Sequence, residues 1–195
     1  MKKVLMYKKF ERIWHWCQAL LIFFLLLTGF EIHGSFGIFG YEAAVRYHIY
    51  AGIALIVLVA FGFFWFVTTE VWKSYTPTTE GLIDQMMYYA KGIFSHAAHP
   101  YKKTAEMKLN PLQRLSYIAF GFGMMPVILI SGIVYLLVIV GVIEMESVMW
   151  LSIIHTICAF AILAFIIAHV YMTTTGHTIL ADTKAMITGY EEIDD

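Results

Sequence analysis

Four stretches of this chain, roughly 13–32, 47–69, 115–143 and 148–175, are long and apolar enough to cross a membrane. A hydrocarbon core about 30 Å thick takes about 20 residues of helix at about 1.5 Å rise each. Backbone groups find no water there, so a run of this length must satisfy its own hydrogen bonds, and a helix does so within one segment. Of 195 residues, 60% are hydrophobic and only 14% charged, too little polar surface for a soluble domain of this size. The reading is an all-α four-helix transmembrane bundle forming one domain over residues 1–195. Phe30, Glu31, Ile32 and His33 stand at the end of the first run, where a cleavage site would need small residues. That run therefore reads as a retained helix and not as a signal peptide.

The basic residues set an orientation. Lys2, Lys3, Lys8, Lys9 and Arg12 precede the first span, and Lys73, Lys91, Lys102, Lys103, Lys108 and Arg114 lie between the second and third. The other two connections share only Arg46, and Glu144 and Glu146 make the second of them acidic. Positive residues favour the cytoplasmic side, which places both termini and the long middle connection there. The location expected is a membrane that the chain crosses several times. The formal net charge of −1 gives no reason to expect a nucleic-acid partner.

Ionisable side chains inside spans are costly and point to function. His155 and His169 sit 14 residues apart in the fourth run. That spacing advances roughly 21 Å and returns to within about 40° of the same helix face. With the orientation above, His48 and His155 share an outer level, and His15 and His169 an inner one. Each pair comes from two different helices, as two axial ligands to one haem iron would. Gly29 and Gly62 each lie 14 residues after a histidine, His15 and His48. Such glycines allow a bulky group close to the backbone or, alternatively, plain helix contact. Cys17 and Cys158 lie in different spans and read as packing residues. There is no Cys-x-x-Cys-His, so covalently attached haem is excluded.

The third span carries no histidine. Its Gly121, Gly123, Pro126, Ser131 and Gly132 predict a kinked helix that packs closely as a wall. The connection from Glu70 to Arg114 is too long for a bare loop. Pro77-Thr78-Thr79-Glu80 reads as a helix start, and Leu82, Ile83, Met86, Met87, Tyr89, Ala90, Ile93 and Phe94 recur at roughly helical spacing. An amphipathic helix on the cytoplasmic membrane surface fits this pattern. His33, His96 and His99 read as interfacial or solvated.

The chain resembles the di-haem cytochrome b membrane subunits of respiratory formate dehydrogenase, nickel-iron hydrogenase and thiosulfate reductase complexes. The resemblance is nearest to the thiosulfate-reductase-like members. It rests on Arg12-Ile13-Trp14-His15-Trp16, Thr28-Gly29-Phe30, Arg46-Tyr47-His48 and Asn110-Pro111-Leu112-Gln113-Arg114. It continues through His155, His169-Val170-Tyr171, Thr174-Thr175-Gly176-His177 and Ala185-Met186-Ile187-Thr188-Gly189. It implies two haems b, one on His48 and His155 and one on His15 and His169. It also implies a menaquinone or ubiquinone beside the inner haem, near Asn110 and Gln113. Amides can hydrogen-bond a quinone carbonyl out of water, or they can satisfy backbone groups at a helix start. Tyr117 is a weaker quinone candidate, and His177 a candidate for a haem propionate or for moving a proton.

The function expected is electron transfer across the membrane, between an outer-face iron–sulfur or multihaem cytochrome subunit and the quinone pool at the cytoplasmic side. Either direction of flow uses the same wire. Substrate chemistry would belong to partner subunits, with quinone reduction or quinol oxidation open to this chain. Two other readings stay open: a haem-free membrane module using the histidines for metal or proton transport, and a stand-alone quinone-linked cytochrome b.

Overall fold

A computed structural model describes residues 2–95, 97–101, 104, 108–176 and 178–193. The expected four spans are present, and they account for most of the chain. Helix α1 covers Lys9–Ile32 and α2 covers Tyr41–Thr68. The third span, Pro111–Ile139, is built from α4 (Pro111–Ile118), a π turn (Ala119–Met124) and α5 (Met125–Ile139). The fourth is α7 (Trp150–Thr173), preceded by the single turn α6 (Met145–Val148). Leu20, Phe61, Phe64, Ile157 and Ile167 are exposed, as expected of helices whose outer faces meet lipid instead of water.

The helix ends differ from the sequence reading, for local reasons. α2 begins at Tyr41, not Tyr47, so His48 lies about two turns inside the helix instead of opening it. The Glu31 carboxyl oxygen Oε1 accepts the backbone N–H groups of Ile38 (2.8 Å), Phe39 (2.7 Å) and Gly40 (2.8 Å), and this folds the connection tightly enough to start α2 early. The third span begins at Pro111, not Leu115, because Asn110 and Gln113 form a capping box with proline at the first helical position. It ends at Ile139, not Ile143. Gly141 takes φ +77°, and the Val142 N–H reaches back to the Leu137 carbonyl at 2.9 Å, a left-handed helix stop.

In the middle connection, α3 (Leu82–Met87) continues into a π turn (Tyr88–Gly92) and a 3₁₀ turn (Ile93–Ser95). Along the apolar stripe predicted here, Ile83 is 74% and Phe94 77% exposed, with Met86 and Met87 beside them, while Leu82, Tyr89 and Ile93 are half-buried and Gln85 is buried. This outward apolar face suits a segment lying against lipid. His99 is held by Tyr101; His96, Lys102 and Lys103 lie outside the described residues.

Two short strands were not anticipated. β1 (Lys2–Leu5) pairs antiparallel with β2 (Tyr190–Ile193), from Lys2 opposite Ile193 to Leu5 opposite Tyr190. Between them, α8 (Ala181–Thr188) ends on Gly189 at φ +91°, whose carbonyl accepts from Met6 and Tyr7. A Cβ on Gly189 would stand 2.8 Å from the Tyr7 carbonyl oxygen. The Arg12 guanidinium donates to the Ile187 carbonyl nearby.

The chain divides into two compact units. One comprises Met1–Arg12, Phe66–Phe122 and Ala164–Asp195; the other comprises Ile13–Trp65 and Gly123–Leu163. Each of the four spans contributes residues to both.

Candidate functional site

In the second unit, His48 of α2 and His155 of α7 face one another. Their ring centroids are 6.3 Å apart and the planes are inclined at 63°. Both are half-buried. Each has a hydroxyl at Nδ1: Thr28 Oγ1 stands 2.9 Å from that atom of His48, and Ser131 Oγ stands 2.8 Å from that of His155. Thr28 is fully buried and Ser131 nearly so. Both hydroxyls also reach carbonyls of their own helix, Phe24 at 2.9 Å for Thr28 and Val127 at 2.7 Å for Ser131. Tyr135 packs edge-on against His155.

The glycine after each hydroxyl residue lies against the same imidazole. A Cβ on Gly29 would come 3.4 Å from His48 Cε1, and one on Gly132 would come 3.8 Å from His155 Cε1. Gly29 thus lies beside a histidine ring, at a distance where a Cβ would make ordinary van der Waals contact. Gly62 has a different neighbour: a Cβ there would fall 2.3 Å from Trp14 Nε1 and 2.5 Å from Cε2. The Trp14 indole lies on this glycine and donates to the Leu58 carbonyl at 2.9 Å, one turn earlier on α2. What lies over Gly62 is a neighbouring side chain. His15, next to Trp14 on α1, is half-buried.

In the first unit, His169 of α7 stacks parallel to Phe165, with planes at 5° and centroids 5.9 Å apart. Its Nδ1 lies 3.3 Å from the Tyr117 hydroxyl. Tyr117 therefore meets a histidine, a contact the sequence did not suggest. Tyr75 packs against Tyr117. Burial pushes the Tyr75 phenol up to about 12, with the negative Glu11 adding to the effect. Burial likewise raises Tyr7, helped by Tyr117, Asp182 and Glu191.

The two amides matched to a quinone site act first as helix caps. Asn110 Oδ1 accepts from the Gln113 backbone at 2.9 Å, and Gln113 Oε1 accepts from the Asn110 backbone at 3.0 Å. Asn110 Nδ2 donates to the Tyr89 hydroxyl at 3.0 Å. Both residues are buried. His177 lies outside the described residues.

A profile for the family described as prokaryotic cytochrome b561 matches residues 6–189. The chain belongs to that family. The protein YdhU of Escherichia coli (strain K12), named as a cytochrome, is 31% identical over 196 residues, covering 97% of this chain and 75% of its own length. This b561-type chain is accordingly a membrane cytochrome of the hydrogenase and formate dehydrogenase type, a protein of electron transfer, and its family binds haem b. The cytochrome b family read from the histidine and loop motifs is upheld.

The His48–His155 geometry fits such a group. Imidazole nitrogens bind metals at about 2.0–2.1 Å, so two rings on opposite sides of one metal have centroids roughly 6 Å apart. Thr28 and Ser131 were missed as partners of these histidines. The signal available was a hydroxyl residue followed by glycine, occurring as Thr28-Gly29 and Ser131-Gly132.

Proposed function

We propose that this cytochrome carries electrons across the membrane between an outer-face redox partner and the quinone pool at the cytoplasmic side. In this reading it holds two haems b, one on His48 and His155 and one on His15 and His169. The observation that carries the proposal is the facing pair of half-buried imidazoles on α2 and α7, 6.3 Å apart, each with its Nδ1 engaged. The second pair rests on His169 following His155 on one face of α7 and on His15 in α1. Haem supplies a reversible one-electron couple when bound. The chain's own work is to hold imidazoles from separate helices, keep water out with apolar side chains, and set hydrogen bonds on the ligands.

The concentration of Lys and Arg before α1 and in the middle connection favours the termini on the cytoplasmic side. Moving one charge across 100 mV involves about 2.3 kcal/mol, so inward flow to quinone conserves energy and outward flow from quinol costs it. The partner proposed is an iron–sulfur or multihaem subunit of a respiratory complex. At the quinone end, Asn110 Oδ1, Asn110 Nδ2 and Gln113 Oε1 are already engaged. Gln113 Nε2 is the amide donor proposed for a quinone carbonyl, and His177 is proposed to move the accompanying proton.

Redox-titrated spectra of the purified full chain test the ligand pairs. Two low-spin b-type components are expected, one lost in both His48→Ala and His155→Ala and the other in both His15→Ala and His169→Ala. A single component, or a different grouping of the four variants, overturns the assignment. Gln113→Glu tests the quinone donor, because it retains the capping oxygen and removes the N–H. Reduction of the bound haems by a soluble quinol analogue should slow by about tenfold, the worth of one hydrogen bond. An unchanged rate would remove Gln113 from the site.

A further inference from the structure

Thr28-Gly29 on α1 and Ser131-Gly132 on α5 make the same contact with a histidine on the next long helix. In each, the hydroxyl meets Nδ1 and the following glycine leaves space beside Cε1. The two dipeptides lie more than a hundred residues apart and on different helices. Neither was needed to bring the histidines together, since α2 and α7 carry those.

Proton counting decides what the hydroxyls do. Thr28 Oγ1 lies 2.9 Å from the Phe24 carbonyl and 3.2 Å from that of Leu25. Ser131 Oγ lies 2.7 Å from the Val127 carbonyl and 3.0 Å from that of Ile128. Carbonyls only accept, and each hydroxyl has one proton to give. If Nδ1 were the bare nitrogen it would take that proton, and each hydroxyl oxygen would face a carbonyl oxygen at 2.9 or 2.7 Å with no hydrogen between them, a repulsive contact. If Nδ1 carries the hydrogen, the hydroxyl donates to its own helix and its oxygen accepts from the ring. Every group is then satisfied. The lone pair of each ring lies on Nε2, the nitrogen left for a metal.

We infer that Thr28 and Ser131 are positioning residues that fix His48 and His155 as Nε2 ligands and strengthen both as electron donors to the iron of the haem they share. This rests on the haem reading above. An N–H bonded to an acceptor makes the opposite nitrogen more basic, which favours the ferric state of a bound iron and lowers its reduction potential.

The test uses the purified, haem-loaded full chain. Thr28→Val keeps the shape of the side chain and removes the acceptor; Ser131→Ala does the same with a smaller change. In each, the component that His48→Ala abolishes should shift about tenfold toward reduced at fixed potential, about 59 mV upward for a one-electron couple, while the other component stays in place. Thr28→Ser should restore the original value, which a merely structural role for Thr28 would not require. If Thr28→Val loses haem, Ser131→Ala supplies the same measurement. Unshifted potentials with both components present overturn the inference, as does a shift that Thr28→Ser fails to reverse. If His48→Ala and His155→Ala remove no component or different ones, the haem assignment itself has failed, which distinguishes the two.

Discussion

Gly62→Ala will unseat the Trp14 indole and lower the thermal midpoint of the purified protein. The new Cβ would lie 2.3, 2.5 and 2.8 Å from three atoms of that ring, too close for a rotamer adjustment to relieve. Forcing an extra carbon into a packed contact costs about 1–3 kcal/mol. Moving the indole also breaks its bond to the Leu58 carbonyl, and a buried donor left unpaired costs about 1–3 kcal/mol more. A total of about 3 kcal/mol corresponds to roughly 6–12 °C for a chain of this size. Gly52→Ala on the same helix is the control, because nothing lies within 4 Å of its Cβ position. Circular dichroism during heating reads both variants. Equal midpoints would show that the Trp14 contact is not tight. Trp14→Leu in the Gly62→Ala background should recover part of the loss, as expected for two residues in direct contact.

Glu31→Ala should be of similar size for a different reason. One carboxyl oxygen accepts three backbone N–H groups, and Glu31 itself is buried. Alanine leaves all three amides without that acceptor just where the chain turns into α2. Each lost partner costs about 1–3 kcal/mol, less where water can enter, so about 3 kcal/mol or more is expected in total. Glu31→Gln retains an acceptor oxygen and should lose less than half as much. Since His48 lies about two turns into α2, Glu31→Ala should also reduce haem content if His48 and His155 hold a haem as proposed. A midpoint and haem content equal to the parent chain's would mean that the turn holds itself together.

The spans and the histidine positions were legible because they depend on residue type and spacing alone. About 20 apolar residues have few other ways to fold in a membrane, and 14 residues of helix return to one face whatever surrounds them. Helix ends were less legible because single local bonds set them. Glu31 reaches across a turn to start α2, and Gly141 adopts a left-handed conformation to stop α5. Asn110 and Gln113 show how one residue type serves two purposes: an amide that could meet a quinone carbonyl is also an effective cap, and the capping box is formed. Strands β1 and β2 are four residues each, too short to display an alternating pattern. Thr28 and Ser131 were hidden because a hydroxyl in a helix ordinarily bonds its own backbone, and here each does so while also meeting a ring.

The third span puts one hydroxyl on each of two histidines of α7: Tyr117 on His169 and Ser131 on His155. Both intervals are 14 residues, yet only the third span is interrupted, by the π turn Ala119–Met124. That turn therefore sets a phase. Each helical residue turns the chain by about 100°, so losing one residue between Tyr117 and Ser131 would swing the serine well away from its partner while leaving the tyrosine in place. The number of residues in this segment, and not only their apolar character, is therefore expected to matter to both contacts.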